Sequence, residues 1–177
     1  ASLFKTRFAC KLKNINPEDF LDRKEARKLE PVAQYALVVA EEAMKDSGIE
    51  LEKVNRMKFG VIWGSGIGGF YTLETDISEA ALLTGPPRYS PFLIPKLISD
   101  IAPGHISIKY GLMGINYGTV SACASSSHAI SNAYDYIKYG KANLILTGGS
   151  EAAITRAGVG GFSSMKALSE RNDDFST

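Results

Sequence analysis

The chain has 177 residues, 45% hydrophobic and 22% charged, and its 20 basic and 19 acidic side chains leave a formal charge of +1. Such a composition can bury a core and shows no sign of disorder, and its balanced charge lacks the phosphate attraction that dominates nucleic-acid binding. No apolar run approaches the roughly 18 residues of a membrane span, and Ala1-Ser2-Leu3-Phe4-Lys5 lacks the apolar stretch of a signal peptide, so a cytoplasmic location is expected.

Asn16-Pro17-Glu18-Asp19 predicts a helix start, with Asn16 as cap, proline in the first turn and two acids at the positive helix end. The sign-alternating run Asp22 to Glu30 reads as a solvated face rather than a binding patch. From Pro31 to Ser47 the apolar residues Val32, Ala36, Val39, Ala40 and Ala43 recur at helical spacing, and Gly48 supplies a left-handed stop. Phe59-Gly60-Val61-Ile62-Trp63 is apolar without alternation, as in a strand covered on both faces.

A glycine loop, Gly64 to Gly69, follows that strand, and a helix is predicted from Phe70 to Leu83. Pro91, Pro95 and Pro103 then limit helices to short pieces, Ile94 to Ile101 and Pro103 to Tyr110. Strands are predicted at Tyr117 to Ala122 and Asn143 to Thr147, joined by a helix from Ser125 to Tyr139 that ends at Gly140. That strand–helix–strand unit implies a parallel sheet. The segment Gly158 to Phe162 reads as a glycine-dense flexible loop.

Two motifs carry chemistry. Gly64, Gly66 and Gly69 outline G-x-G-x-x-G after a strand, but a dinucleotide turn also wants an acid about 20 positions on. That stretch is Leu82-Leu83-Thr84-Gly85-Pro86, so a loop whose glycines admit close backbone approach is the preferred reading. Cys123 sits where an apolar strand gives way to a helix. The positive helix end favours thiolate there, and the turn frees backbone N–H groups of the kind an oxyanion hole uses. Against this stands a small packing cysteine, while Cys10 reads as a packing or surface residue. Two cysteines so far apart make neither a disulfide framework nor a CxxC zinc site.

An acyl-transfer cysteine normally works with a histidine. His128 lies five residues beyond Cys123 and points about 140° away around the same helix. His105, after Pro103-Gly104, suits capping or packing. Glu151, past Gly148-Gly149-Ser150 at a strand end, suits either a functional or a hydrogen-bonding role.

Taken together, Val120-Ser121-Ala122-Cys123-Ala124-Ser125-Ser126 with His128, Gly148-Gly149-Ser150-Glu151, Gly160-Gly161-Phe162, and Ala167-Leu168-Ser169 with Arg171-Asn172-Asp173 resemble the elongating β-ketoacyl-acyl carrier protein synthases, most closely those of type II. Gly64 to Gly69, Pro87-Arg88, Ser90-Pro91-Phe92 and Gly104-His105 with Tyr110-Gly111-Leu112 match the same family in the same order. The resemblance implies a thiolase-like α/β fold layered α-β-α-β-α, a homodimer paired through the strand before Cys123, and fatty acid elongation. Cys123 would take an acyl group from acyl carrier protein and lend its backbone N–H to the oxyanion. A malonyl group on a second carrier protein would then lose carbon dioxide and attack the thioester. Ile98 and Phe162 would line or gate the acyl pocket, and neither metal nor redox cofactor is implied.

Family members are more than twice this length and built of two similar halves. Residues 1–177 therefore read as a partial N-terminal half, with the catalytic histidines, the supporting lysine and the second oxyanion donor in the other half. Alone they are expected to be inactive in condensation. Two rivals stand beside this reading: a polyketide-type ketosynthase or thiolase, and a non-catalytic dimerisation or binding module of the same fold.

Overall fold

In the structure, a computed structural model describing residues 4–13, 15–86 and 88–174, three short strands lie parallel. Ala1 to Leu3 and Pro87, named above, fall outside the described residues. Strand β1 (Phe59–Gly64) is central, with β2 (Asn116–Thr119) on one side and β3 (Leu144–Gly149) on the other. Every residue of β1 is buried, which is why its sequence shows no alternation. Gly64 stands opposite both Thr119 and Gly149, so the three strands end together, at the carboxyl edge where parallel sheets place their ligands.

One face of the sheet is covered by α2 (Pro31–Ser47) and α5 (Ile101–Tyr110), which share a core with Phe59, Val61 and Trp63. The opposite face carries Ile62, packed on Ala129 and Ala133 of α6 (Ser125–Lys138). The result is three layers, α-β-α; a five-layer arrangement needs a second sheet, and the described residues hold one. The predicted β2–α6–β3 unit is present, but β1 lies between its two strands, an order that spacing alone does not encode.

Helix α2 has its predicted bounds, and Gly48 stops it with φ of 62°. Of the predicted face, Val32, Ala36 and Ala40 are buried while Val39 and Ala43 are exposed, and Ala33, Leu37, Val38 and Met44 widen the buried side. Apolar residues occupy so much of its circumference that periodicity selects no single stripe. The start at Asn16 makes only a 3-10 turn, Pro17–Asp19, before Asp22 caps the short α1 (Arg23–Ala26). Glu30, placed by its charge on a solvated face, is 1% exposed and caps α2.

Helix α3 (Phe70–Ala81) follows its predicted position closely, whereas α4 (Leu93–Leu97) stops four residues short of the predicted Ile101 because the backbone turns extended at Ile98. Helix α5 begins two residues before Pro103, which its first turn tolerates because the missing N–H would be unpaired there anyway. His105 is thus inside a helix rather than at its start. The largest correction concerns Gly158 to Phe162, which is helical within α7 (Arg156–Ser164). The Thr155 hydroxyl accepts from the Gly158 amide at 3.0 Å, and the Glu74 carboxylate accepts from the amides of Arg156 and Ala157 at 3.2 and 2.7 Å. A local cap, Thr155, and a partner distant in sequence, Glu74, hold a segment whose own propensity is poor.

Candidate active site

Strand β2 ends at Thr119, three residues earlier than predicted, because the chain turns sharply through Ala122 before α6. Ala122 has φ of 50°, the left-handed region that a residue with a Cβ seldom occupies, at a cost of about 1–3 kcal/mol. Four side-chain bonds hold the turn. The Ser125 hydroxyl donates to the Ala122 carbonyl at 2.7 Å and accepts from the Ser121 amide at 2.9 Å. The Thr119 hydroxyl donates to the Ser125 carbonyl at 2.8 Å, and Ser121 Oγ pairs with His128 Nδ1 at 2.7 Å.

Cys123 rides on this elbow, exposed, in the 3-10 turn Ala122–Ala124 that leads into α6. Among the described residues no acceptor pairs with its backbone N–H. The thiol borders a cavity of about 440 Å³ whose walls include Ile67, Ser126, Gly149, Glu151 and Phe162. The cavity opens at the carboxyl edge of the sheet, between the ends of β1 and β3 and the start of α6.

The glycine loop forms the wall facing the elbow. A Cβ on Gly64 would stand 2.5 Å from the backbone of Ser125 and Ser126, and one on Gly69 would meet the Lys96 carbonyl. These glycines therefore admit close backbone approach, the preferred reading of the motif. The Gly66 and Ile67 amides donate to a single Glu151 oxygen, Oε2, at 2.8 and 3.1 Å. The anion held by this turn is thus one of the chain's own carboxylates. Next to Glu151, the Ser150 hydroxyl accepts from Trp63 Nε1 at 3.0 Å and donates to the Val32 carbonyl at 2.8 Å, tying β1 and α2 to the end of β3.

Of the residues singled out from sequence, Cys123 and Phe162 share the cavity, Phe162 from α7 with 38% exposure. Ile98 follows α4, is 43% exposed and does not line it. Cys10 is exposed beside a separate cavity against α2. Neither histidine lines the Cys123 cavity: His128 is engaged with Ser121, and His105 lies across the sheet beside Leu29 and Leu37. Burial holds the His105 imidazole below its ordinary range, partly countered by Glu25. Sequence reasoning missed Ile67, though its setting between two glycines of the loop signals a side chain presented at the strand ends. It also missed the Glu151 tether, which links residues far apart in the chain. Among the described residues no three His, Cys, Asp or Glu side chains gather as a metal site, and no helix is long and apolar enough to cross a membrane.

A thiol at a helix start, beside an unpaired amide and above an apolar wall, has the parts needed to hold an acyl thioester. The chain is 43% identical over 175 residues to 3-oxoacyl-[acyl-carrier-protein] synthase 2 of Staphylococcus aureus, covering 98% of this chain and 43% of that protein. A β-ketoacyl synthase from Burkholderia phymatum STM815 superposes with a TM-score of 0.82 at 29% identity, over 96% of this chain and 41% of that one. The ketosynthase complex of a type II polyketide synthase with its acyl carrier protein shares the fold, with a TM-score of 0.81 at 20% identity, over 89% of this chain and 45% of that one. The chain spans less than half the length of each of these proteins. Residues 5–176 match the model described as "Beta-ketoacyl synthase, N-terminal domain", and the chain belongs to the β-ketoacyl synthase family.

Proposed function

We propose that this chain is the nucleophile-bearing half of a 3-oxoacyl-[acyl-carrier-protein] synthase of fatty acid elongation, with Cys123 as the residue that carries the acyl group. The observation that carries this reading is the strained elbow, which exposes a thiol and an unpaired N–H at the start of α6, above an apolar cavity. The Cys123 sulfur attacks the carbonyl carbon of an acyl-carrier-protein thioester, and the carrier thiolate leaves and takes up a proton. The Cys123 N–H donates to the oxyanion formed on the way. A malonyl group on a second carrier protein then breaks its bond to the carboxylate, releases carbon dioxide and keeps the electron pair on the α-carbon. That carbon attacks the acyl-cysteine and expels the Cys123 thiolate.

Phe162 and Ile67 flank the acyl chain in this scheme, and Ile98 bounds the pocket only where further chain extends it. Because neither histidine reaches the cavity, the groups that assist decarboxylation are assigned to residues beyond these 177. Strand β2 is a sheet edge whose following residue, Val120, is 63% exposed, which suits pairing with a second copy of the chain in a homodimer. A cytoplasmic location accords with this role. The 43% identity to a 3-oxoacyl-[acyl-carrier-protein] synthase favours this reading over a polyketide ketosynthase, of which a solved example shares the fold at 20% identity.

Intact-mass measurement after incubation with acyl-acyl carrier protein tests the proposal. One acyl group should appear on Cys123, and Cys123→Ala should abolish it. Cys123 should also react with iodoacetamide much faster than Cys10. Equal, slow alkylation of the two cysteines with no acyl transfer would overturn the assignment.

A further inference from the structure

We propose that Glu151 is a positioning residue that sets the width of the Cys123 cavity by tethering the Gly66–Ile67 backbone to the end of β3. The inference rests on the assignment of Cys123 as the acyl-carrying nucleophile. Three observations support it. Glu151 Oε2 accepts two consecutive amides, those of Gly66 and Ile67, at 2.8 and 3.1 Å. A Cβ on Gly66 would lie 3.1 Å from that same oxygen, so the loop and the carboxylate are fitted closely to each other. Glu151 and Ile67 both line the cavity that Cys123 borders.

The physics favours a charged tether. Consecutive backbone amides in a glycine turn form a concave donor pair that attracts an anion, and bonds to a carboxylate are stronger than neutral ones. The rest of the loop is already fastened. The Gly68 amide donates to the Ser65 hydroxyl at 3.1 Å and the Gly69 amide to the Leu97 carbonyl at 3.1 Å. Ser65 is joined to β2 through its amide and the Thr119 carbonyl at 3.2 Å. Gly66 and Ile67 are therefore the unfastened middle of the loop, and Glu151 is the group that holds it. Ile67 is 39% exposed, so its place on the wall comes from this backbone anchor and not from burial of its side chain.

The consequence is selectivity for long acyl chains, because an apolar tail gains from a wall only when the wall stays in place. Two reagents read this on the full chain: iodoacetamide, which needs only the thiol, and an N-dodecyl iodoacetamide, which also needs the cavity. Glu151→Ala should lower the ratio of long-chain to short-chain alkylation of Cys123 at least threefold. Glu151→Gln, which keeps an acceptor oxygen, should restore most of the ratio. An unchanged ratio in Glu151→Ala would overturn the proposal. Hydrogen exchange in the wild-type chain is a second measurement, independent of how the variants fold. The Gly66 and Ile67 amides should be protected at least tenfold over an open loop, and exchange at the unprotected rate would also overturn it. Slow, equal alkylation of Cys123 and Cys10 in wild type would instead refute the nucleophile assignment, leaving the tether to be judged by exchange.

Discussion

The Ser125 hydroxyl donates to the Ala122 carbonyl at 2.7 Å, closing a ring around the left-handed residue that precedes Cys123. The same oxygen accepts the Ser121 amide, so one nearly buried side chain satisfies a donor and an acceptor at the tightest point of the turn. Ser125→Ala leaves the Ser121 amide without its acceptor and takes one of two donors from the Ala122 carbonyl, which keeps the Ser125 amide, a loss of about 1–3 kcal/mol. The expected result is a lower urea midpoint together with slower alkylation of Cys123, as the elbow relaxes from its strained form. A variant matching wild type in both would show that Ala122 is held by other means.

Gly64 ends β1 at the point where α6 crosses closest, and a Cβ there would come within 2.5 Å of the Ser125 carbonyl carbon and the Ser126 nitrogen. Both are backbone atoms of the first turn of α6, which cannot swing aside as a side chain would. Gly64→Ala should therefore destabilise the chain by about 2 kcal/mol or more. Its urea unfolding midpoint is the measurement, and a wild-type midpoint would mean that α6 stands farther from β1 than the structure places it.

What could be read from the residues and what could not divide along a physical line. Helix α2 and strand β1 were legible because proline, Gly48 and an unbroken apolar run act within a few residues. Cys123 was legible because a strand-to-helix junction is a local event. The α7 helix was not, since Glu74 and Thr155 rescue a glycine-rich segment that propensity alone would leave as a loop. Nor was the burial of Glu30, whose neighbours in sequence are mostly charged and exposed while its neighbours in space are not. The Glu151 tether spans 85 positions, and nothing in a single sequence couples its two ends.

Glu30 makes a pH prediction whose sign follows from its surroundings. Burial raises its carboxyl from 4.5 to about 7, against the pull of the Val32 amide and of those of Tyr71 and Thr72, while Glu151 adds to the rise. Its Oε2 accepts from the Val32 amide at 2.6 Å, and among the described residues its Oε1 has no hydrogen-bond partner. Between pH 4.5 and about 7 the unfolded chain has released a proton that the folded chain still holds, so stability falls across that window and is level above it. Glu30→Gln mimics the protonated form and should remove this slope. At pH 8 it should be more stable than wild type by an amount on the order of 3 kcal/mol. Parallel stability curves for the two chains from pH 5 to 8 would contradict the assignment.

Phe162 reaches the Cys123 cavity from α7, whose first-turn amides, those of Arg156 and Ala157, donate to Glu74. Gly158, Gly160 and Gly161 each weaken a helix by about 1 kcal/mol relative to alanine, so α7 has little intrinsic stability. Burial alone would raise the Glu74 carboxyl. The Thr155 hydroxyl and the amides of Ala157 and Arg156 more than offset that and hold it below 4.5. A lowered carboxylate contributes stability that is complete above its unfolded value and is lost as pH falls through the folded one. Glu74→Ala removes the cap at neutral pH, an effect of about 1 kcal/mol. It should speed hydrogen exchange through residues 158–164 while leaving the β1 amides protected. Glu74→Gln keeps one acceptor oxygen without the charge and should fall between the two. Exchange in α7 indifferent to both substitutions would mean that Thr155 and tertiary packing hold the helix without Glu74, and that the wall bearing Phe162 does not depend on it.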